Sequence, residues 1–185
     1  MTPRERVLRA LRRERLAPVP VGAVTPSATL DQMRATCVYW PEAHLDAEQM
    51  AVLAHAPCVL LGFETVRVPF DQTIEAELFG AAVFLGDETS IGSVRAHPFR
   101  LDQPLPALPD FATGRARVVI EAIGILKRHV GEAAAVIGGL VGPFTLVCQL
   151  AGLAEVVTAA LRRPETVRPW LELAVEAAIV YARRQ

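Results

Sequence analysis

Residues that could bind a ligand follow an apolar segment in VIGGLVGPFTLVCQLAG, residues 136–152. Two β-branched residues open this segment, Gly138 to Pro143 cannot continue a strand, and helical spacing begins at Thr145. This order predicts a corner at which a strand ends and a helix begins. In α/β proteins, ligands usually bind at such corners, outside the carboxyl ends of the strands.

The predicted corner offers backbone and hydroxyl groups rather than charged side chains. Glycine allows a ligand to approach the backbone closely, and Thr145 or the first amides of the helix could bind an anionic group. Gly142, Pro143 and Thr145 are therefore candidate substrate-binding residues. The alternative is that the glycines only form a tight turn and that Thr145 only caps the helix.

Two further candidates follow two other predicted strands. Asp71 comes after RVPF, at the end of an apolar segment where a carboxylate could bind a ligand. It could instead cap a short helix predicted over residues 73–79, and one side chain could do both. Thr25 follows VPVGAV, a doubly apolar segment at residues 19–24. If the strands are parallel neighbours, Thr25, Asp71 and Gly142 lie at the same end of the sheet.

The elements that must position these residues alternate along the chain. Helices are predicted over residues 3–15, 73–79, 113–129, 145–162 and 164–183 and after Asp46, and strands over residues 19–24, 59–68 and 133–139. A short extra strand is predicted at AAVFLG, and the proline-rich residues 87–110 are predicted to be irregular. The alternation indicates right-handed βαβ units and a parallel sheet, hence an α/β fold.

Caps and apolar stripes predict where the helices begin and which faces they bury. Thr2 and Glu5 form a capping box for the first helix, whose inner face is predicted to carry Val7, Leu8 and Leu11. Asp46 is predicted to cap a helix whose Met50 and Leu53 face inward, and Gly80 is predicted to end the short helix over residues 73–79. The last helix is predicted to restart at Pro169 and to bury an apolar stripe of Trp170, Ala174, Ala177 and Tyr181.

The composition is that of a folded globular chain. Of 185 residues, 52% are apolar, which is enough for one core and short of two domains, so one domain over residues 1–185 is expected. The net charge of −1 predicts neither nucleic-acid nor anionic-membrane binding. No apolar run reaches about 18 residues without a charge or a helix breaker, so no membrane span is predicted and a cytoplasmic location is expected.

The sulfur and imidazole groups show no spacing typical of a metal site. Cys37, Cys58 and Cys148 are too far apart for a zinc knuckle and, being three in number, predict no disulfide framework. We interpret them as reduced, mostly buried thiols. The histidines at positions 44, 55, 97 and 129 are interpreted as surface or supporting residues.

Five stretches together resemble the uroporphyrinogen decarboxylase superfamily: TPRERVLRALRRE, PVPVGAVTPSATL, YWPEAH, RVPFDQTIEAELFG and GGLVGPFTL. They look most like its methyltransferase branch, the methylcobamide:coenzyme M methyltransferases and related corrinoid-dependent enzymes. YWPEAH and VPFD-x-T-x-EA are the most specific parts, in which Glu42 and His44 could help shape the site. The resemblance implies a (β/α)8 barrel, which usually needs about 250 residues. We therefore expect a partial TIM barrel, the N-terminal half with parallel strands and flanking helices.

The resemblance also implies residue roles, which separate the two branches. In the decarboxylases, the aspartate that matches Asp71 holds the pyrrole nitrogens of the tetrapyrrole. Their arginine-rich stretch after the first strand corresponds here to residues 25–29, which contain no arginine, and their active-site tyrosine aligns with Gln149. Two of the three decarboxylase determinants are thus absent, and the methyltransferase branch fits better.

Cofactors and partners follow from the same resemblance. The methyltransferases hold zinc through a histidine and cysteines, which lowers the pKa of a thiol that then attacks a methyl-corrinoid. Those ligands belong to sequence that is not present here, so no zinc is expected on this chain, and its expected partners are a corrinoid protein, a small-molecule methyl acceptor, and either the missing half of the barrel or a second copy. Two alternatives stay open: uroporphyrinogen decarboxylation in porphyrin biosynthesis, and a noncatalytic remnant or binding module.

Overall fold

Helices and short strands alternate through the chain, which the computed structural model describes over residues 1–24 and 28–185. The helices are α1 (Pro3–Leu11), α2 (Leu30–Thr36), α3 (Ala47–Leu61), α4 (Ile74–Leu78), α5 (Gly114–Val130), α6 (Pro143–Ala151), α7 (Leu153–Arg162) and α8 (Pro164–Arg184). The strands are β1 (Thr65–Val68), β2 (Ala82–Phe84), β3 (Ser93–Ala96) and β4 (Ala135–Gly138), and a 3-10 turn covers Glu42–His44. The first unit contains Met1–Phe70 and Val118–Gly139, and the second contains Asp71–Arg117 and Leu140–Gln185.

A parallel strand pair forms the centre of the first unit. β1 pairs with β4 in a register that runs from Thr65 opposite Ala135 to Val68 opposite Gly138. Val66 and Val68 are buried in the core, and helices α1 and α3 contact the pair. The carboxyl ends of both strands therefore lie at one edge. The predictions of a parallel pair and of a strand at residues 133–139 are confirmed.

Residues 19–24 do not form the predicted first strand. They lie beside the start of β1, where the Glu64 N–H donates to the Val21 carbonyl oxygen at 2.7 Å and the Thr65 hydroxyl donates to the Ala23 carbonyl oxygen at 3.3 Å. Pro18 and Pro20 have no N–H to donate, and a strand ladder does not develop.

The predicted second strand is shorter than expected because its first residues belong to α3. An apolar run such as residues 58–61 suits either a helix or a strand, and here the helix that buries Met50 and Leu53 continues to Leu61. Gly62, with φ of 70°, then ends it. The predicted cap is confirmed, since the Asp46 carboxylate accepts the Gln49 N–H at 2.8 Å.

The first helix begins as predicted and ends early. Thr2 and Glu5 form the complete capping box, whereas the left-handed backbone of Arg13, with φ of 63°, follows the end of α1. The predicted inner face is wrong: no residue of α1 is buried, and Leu11 is 76% exposed.

The second unit contains a hairpin and the helices α4, α6, α7 and α8. The extra strand at AAVFLG is confirmed as β2, but it pairs antiparallel with β3, which lies within the stretch predicted to be irregular. The single helix predicted over residues 145–162 is two helices, α6 and α7, that meet at Gly152. α8 continues through Pro169 without the predicted restart.

Aromatic side chains anchor α8 in the second unit, as its predicted stripe requires. All four residues of the stripe, Trp170, Ala174, Ala177 and Tyr181, are buried. The Trp170 indole donates to the Leu101 carbonyl oxygen at 3.2 Å, and the ring of Tyr181 stacks on Phe111 at 5.1 Å between centroids.

Within residues 1–24 and 28–185, no single helix is long and apolar enough to cross a membrane. Helices α6 and α7 together have the required length and apolar composition, but they form a pair that is bent by 115°.

Candidate functional site

The sequence-predicted site residues have different surroundings. Asp71 follows β1 and is buried, whereas Gly142 and Thr145 follow β4 and are exposed. Pro143 is partly exposed between them. Asp71 and Gly142 thus come after the carboxyl ends of two paired strands, as predicted, and both belong to the second unit. Thr25 lies outside the described residues.

The carboxylate of Asp71 belongs to a buried network of charged and hydroxyl groups. Arg115, whose side chain is 5% exposed, donates to Asp71 Oδ2 through Nη1 and to the Thr73 hydroxyl through Nη2 at 2.8 Å. Its Nε donates to Glu77 Oε2 at 2.5 Å. The guanidinium of Arg115 therefore connects Asp71 and Thr73, which precede α4, with Glu77 inside α4.

Both carboxylate oxygens of Asp71 are used inside the second unit. The Thr73 N–H donates to Oδ1 at 3.1 Å, and the Thr73 hydroxyl donates to Oδ2 at 2.7 Å. Asp71 thus forms a turn immediately before α4, whose cap residue is Thr73. Of the two interpretations offered by the sequence, a structural function at the start of this helix is what the contacts show.

Glu75 is a buried carboxyl group that the sequence reasoning missed. Its Oε1 accepts the Val141 N–H at 2.9 Å, which connects α4 to the residue before Gly142. Burial is the main cause that raises the pKa of Glu75, with Asp71 adding to it, while hydrogen bonds to backbone N–H groups and the charge of Arg115 oppose the rise. The only signal in the sequence was a second acidic residue in IEAEL close to Asp71.

The start of α6 presents backbone donors at the surface. Gly142 is the cap residue, with extended backbone and no side-chain cap, and Pro143 is the first helical residue. Thr145 lies in the first turn rather than at the cap, which corrects the predicted helix start. The first N–H groups of a helix have no partner within it, so those of Phe144 and Thr145 can bind an external acceptor.

Gln149, which the resemblance aligned with the decarboxylase tyrosine, lies further along α6 and is held by the second unit. Its Nε2 donates to the Gln72 carbonyl oxygen at 2.9 Å, and its own backbone oxygen lies 2.8 Å from His97 Nδ1. Its Oε1 is buried and has no hydrogen-bond partner among residues 1–24 and 28–185.

YWPEAH forms an aromatic cluster in the first unit. The buried imidazole of His44 stacks on Trp40 at 5.4 Å and lies 6.3 Å from the ring of Phe70, which follows β1. Trp40 Nε1 is buried without a hydrogen-bond partner in the described part of the chain. Glu42 is exposed at the surface.

The described thiols and imidazoles form no metal centre. No group of three or more histidine, cysteine, aspartate or glutamate side chains within residues 1–24 and 28–185 could hold a metal ion. Burial raises the pKa of Cys58 to about 11 and also raises that of Cys148, so neither is a thiolate at neutral pH. Cys37 is exposed, and Cys58 and Cys148 are half-buried, so the expectation of mostly buried thiols is wrong.

Comparison with known proteins identifies the family. The family described as Uroporphyrinogen decarboxylase (URO-D) matches residues 2–185. The chain belongs to the uroporphyrinogen decarboxylase family. This member is 43% identical over 153 residues to a methylcobamide:CoM methyltransferase, MtbA, of Methanosarcina acetivorans, a match that covers 82% of this chain and 45% of the relative. It is 34% identical over 183 residues to the methylcobamide:CoM methyltransferase MtaA of Methanosarcina barkeri, covering 98% of this chain and 54% of that protein.

A solved structure supports the fold class of this family member. A methyltransferase from Methanosarcina mazei matches with a TM-score of 0.93 and 34% identity, covering all of this chain and 55% of that one. The predicted fold class, an α/β fold that corresponds to part of a (β/α)8 barrel, is confirmed. The chain spans about half the length of the relatives it matches.

Proposed function

We propose that this chain is part of a corrinoid-dependent methyltransferase that moves a methyl group from a methyl-corrinoid protein to the sulfur of a thiol, which loses its proton. The 43% identity to a methylcobamide:CoM methyltransferase is the observation that carries the proposal. The chain covers only 45% of that relative, and we propose that the part described by these 185 residues has little activity by itself.

Substrate binding is assigned to residues that follow the strands: Thr25, Asp71, Gly142, Pro143 and Thr145. Gly142 and Thr145 are exposed, and the Phe144 and Thr145 N–H groups have no partner among residues 1–24 and 28–185, which supports this assignment. Thr25 is proposed from the sequence alone.

Asp71 acts in this proposal mainly by positioning the binding residues. Arg115 and Thr73 hold its carboxylate, and Glu75 binds the Val141 N–H directly before Gly142. The contact of Asp71 with Arg115 restrains the segment before α4, and the contact of Glu75 with Val141 restrains the segment before α6. Restraint of this kind keeps a binding site in its productive geometry without the loss of entropy that ordering would require.

Zinc has no binding site among the described residues. The described residues contain no set of metal ligands, and the raised pKa values of Cys58 and Cys148 oppose metal binding, which requires deprotonated thiols. If zinc takes part, we propose that its ligands lie outside residues 1–24 and 28–185.

Decarboxylation of uroporphyrinogen is the second candidate because the family description names it. Residues 25–29 provide no arginine for substrate carboxylates, and Gln149 stands where the decarboxylases have a tyrosine. Both features favour methyl transfer over decarboxylation.

The test measures both reactions on the same protein. The chain is assayed alone and together with the part of the M. acetivorans relative that lies outside the matched residues. Methylcobalamin and 2-mercaptoethanesulfonate are the substrates for methyl transfer, followed by the absorbance of the corrinoid and by NMR of the thioether. Uroporphyrinogen is the substrate for decarboxylation, followed by porphyrin fluorescence after oxidation.

The expected result is thioether formation by the combined polypeptides, with little by the chain alone. Thr145→Val in the combined protein should raise the KM for the thiol, whereas the exposed Thr89→Val, in the turn between β2 and β3, should leave it unchanged. Porphyrin formation without thioether would support the decarboxylase instead. A correctly assembled complex with neither activity would favour the noncatalytic alternative.

A further inference from the structure

One face of α3 is apolar although solvent reaches it. From Gln49 to Leu61 this helix contains no aspartate, glutamate, lysine or arginine. Val52 and Val59 share one face of the helix by their spacing, and they are 49% and 71% exposed. A helix that is apolar on all sides is normally buried on all sides. The exposed face of α3 therefore has the composition of a surface that another protein covers.

A groove continues this face towards α5. It has a volume of about 420 Å3 and is lined by residues of α3 and of the last turns of α5, all within the first unit. We call it the α3–α5 groove, and its apolar lining consists of Ala51, Val52, Ile125, Leu126 and Val130. At protein interfaces, side chains that fill such pockets contribute most of the binding energy. The α3–α5 groove can therefore bury apolar side chains of a docked protein.

Opposite charges line the two sides of the α3–α5 groove. Glu48, in the first turn of α3, supplies a carboxylate, and Arg128, in the last turn of α5, supplies a guanidinium. His55 and His129 also line the groove, and the exposed Lys127 precedes Arg128. Such a surface is complementary to a second copy of itself, because a two-fold axis along the groove brings the acidic side of each copy to the basic side of the other.

We propose that a second copy of this chain docks on the α3–α5 groove through its own α3–α5 groove, which forms a two-fold symmetric dimer. Val52 and Val59 of both copies become covered, and Glu48 of each copy faces Arg128 of the other. Burial of the apolar face supplies the free energy of association, and the two charge pairs fix how the copies are oriented. The proposal does not depend on methyl transfer.

Sedimentation equilibrium of the 185-residue chain at micromolar concentration is the first measurement, and a dimer is the expected result. Val52→Ser with Val59→Ser should raise the dissociation constant of the dimer by about tenfold or more, because both apolar side chains leave the contact. Leu153→Ser with Leu161→Ser is the matched control on α7, at leucines that are 63% and 81% exposed, and should leave the dissociation constant unchanged. Circular dichroism of each variant checks that it is folded.

Charge reversal makes the test specific for a second copy. Glu48→Arg alone places two basic groups opposite each other, and Arg128→Glu alone places two acidic groups there, so each variant should be largely monomeric. An equimolar mixture of the two variants should form the dimer again, because every charge contact then joins an acid to a base. Arg34→Glu on α2, at an arginine whose side chain is 67% exposed, controls for the change in net charge and should dimerise normally.

Three results would overturn the inference. The first is an unchanged chain that is monomeric, and the second is a mixture of Glu48→Arg and Arg128→Glu chains that stays as monomeric as its components. The third concerns a different occupant, the part of the M. acetivorans relative that lies outside the matched residues. If Val52→Ser with Val59→Ser abolishes binding of that polypeptide but leaves the dimer intact, the α3–α5 groove binds the other polypeptide instead of a second copy.

Discussion

At the scale of single residues, Glu75 is the buried acid whose ionisation should be visible in the stability of the protein. Burial raises its pKa in the folded chain above the ordinary value of 4.5. Between the unfolded and the folded pKa, the folded chain binds more protons than the unfolded chain. The contribution of Glu75 to the free energy of unfolding therefore falls as pH rises through that interval and stays low above it.

Glu75→Gln should accordingly raise the free energy of unfolding at neutral pH. The amide oxygen can still accept the Val141 N–H, while the buried negative charge is removed. The advantage should shrink as pH falls below 4.5, where glutamate is protonated even in the unfolded chain. Urea unfolding at several pH values measures this.

Glu75→Ala is the control for the hydrogen bond. It removes the acceptor, so it should lower the free energy of unfolding by about 1–3 kcal/mol relative to Glu75→Gln at every pH. A Glu75→Gln protein that is less stable than the unchanged chain at neutral pH would show that the charge itself stabilises the fold.

Asp71 should contribute to stability through its pairing with Arg115. Asp71→Asn leaves that buried guanidinium with a weaker partner, and breaking a buried pair costs about 3 kcal/mol or more. Asp102→Asn, in an exposed pair with Arg100, is the matched change and should have little effect on the free energy of unfolding. Similar losses from both substitutions, measured by urea unfolding, would refute the structural importance of the network.

At the scale of secondary structure, Gly152 sets the break between α6 and α7. Its φ of 92° and ψ of 133° are accessible almost only to glycine, and an added Cβ would lie 3.3 Å from His97 Cδ2. Gly152→Ala should lower the free energy of unfolding by about 1–3 kcal/mol. Thermal and urea unfolding of the purified variant measure the loss.

Gly124→Ala is the matched substitution inside a regular helix. Gly124 lies in α5, and its added Cβ would meet only the flexible end of Arg128 at 3.4 Å. Alanine there should raise the free energy of unfolding by up to about 1 kcal/mol. Equal effects of the two substitutions would mean that backbone conformation at Gly152 does not direct the two helices.

At the scale of the whole molecule, exposed apolar side chains predict association. In the first unit, large exposed apolar residues occur before β1 and at the end of α3: Val19, Val21, Val24, Val59, Leu60 and Leu61. If about 1,000 Å2 of such surface were buried in a complex, it would contribute on the order of 25 kcal/mol before entropy and docking costs. We therefore expect self-association or dependence on a partner, measured by sedimentation at micromolar concentration.

A double substitution identifies the associating surface. Val59→Ser with Leu61→Ser should reduce the associated fraction, whereas Leu161→Ser, at an exposed leucine of α7 in the second unit, should change it less. A stable, soluble monomer of the unchanged chain with cooperative unfolding would contradict the prediction and indicate a self-sufficient fold.

The isolated chain should also retain no stoichiometric zinc. Its cysteines and histidines show no spacing typical of a closed metal site. Elemental analysis after zinc loading and dialysis checks this, with one tightly held zinc per chain as the contradictory result.

The sequence alone determined features that depend on neighbouring residues. The capping box at Thr2, the cap at Asp46 and the buried stripe from Trp170 to Tyr181 were all predicted and found, because caps and helical periodicity involve residues only a few positions apart. The family was likewise recognisable from short motifs, and with it the α/β fold class.

Only the tertiary structure decided which distant groups meet. Arg115 reaches Asp71 across 44 positions of sequence, and Glu75 reaches the Val141 N–H across 66. It also decided that residues 58–61 continue α3 rather than start a strand, since the same apolar run can satisfy either structure until its packing partners are present. A charged side chain is unfavourable in the interior unless it is paired, so burial determines which charged groups must meet. Burial depends on the folded chain and cannot be read from residues that are neighbours in sequence.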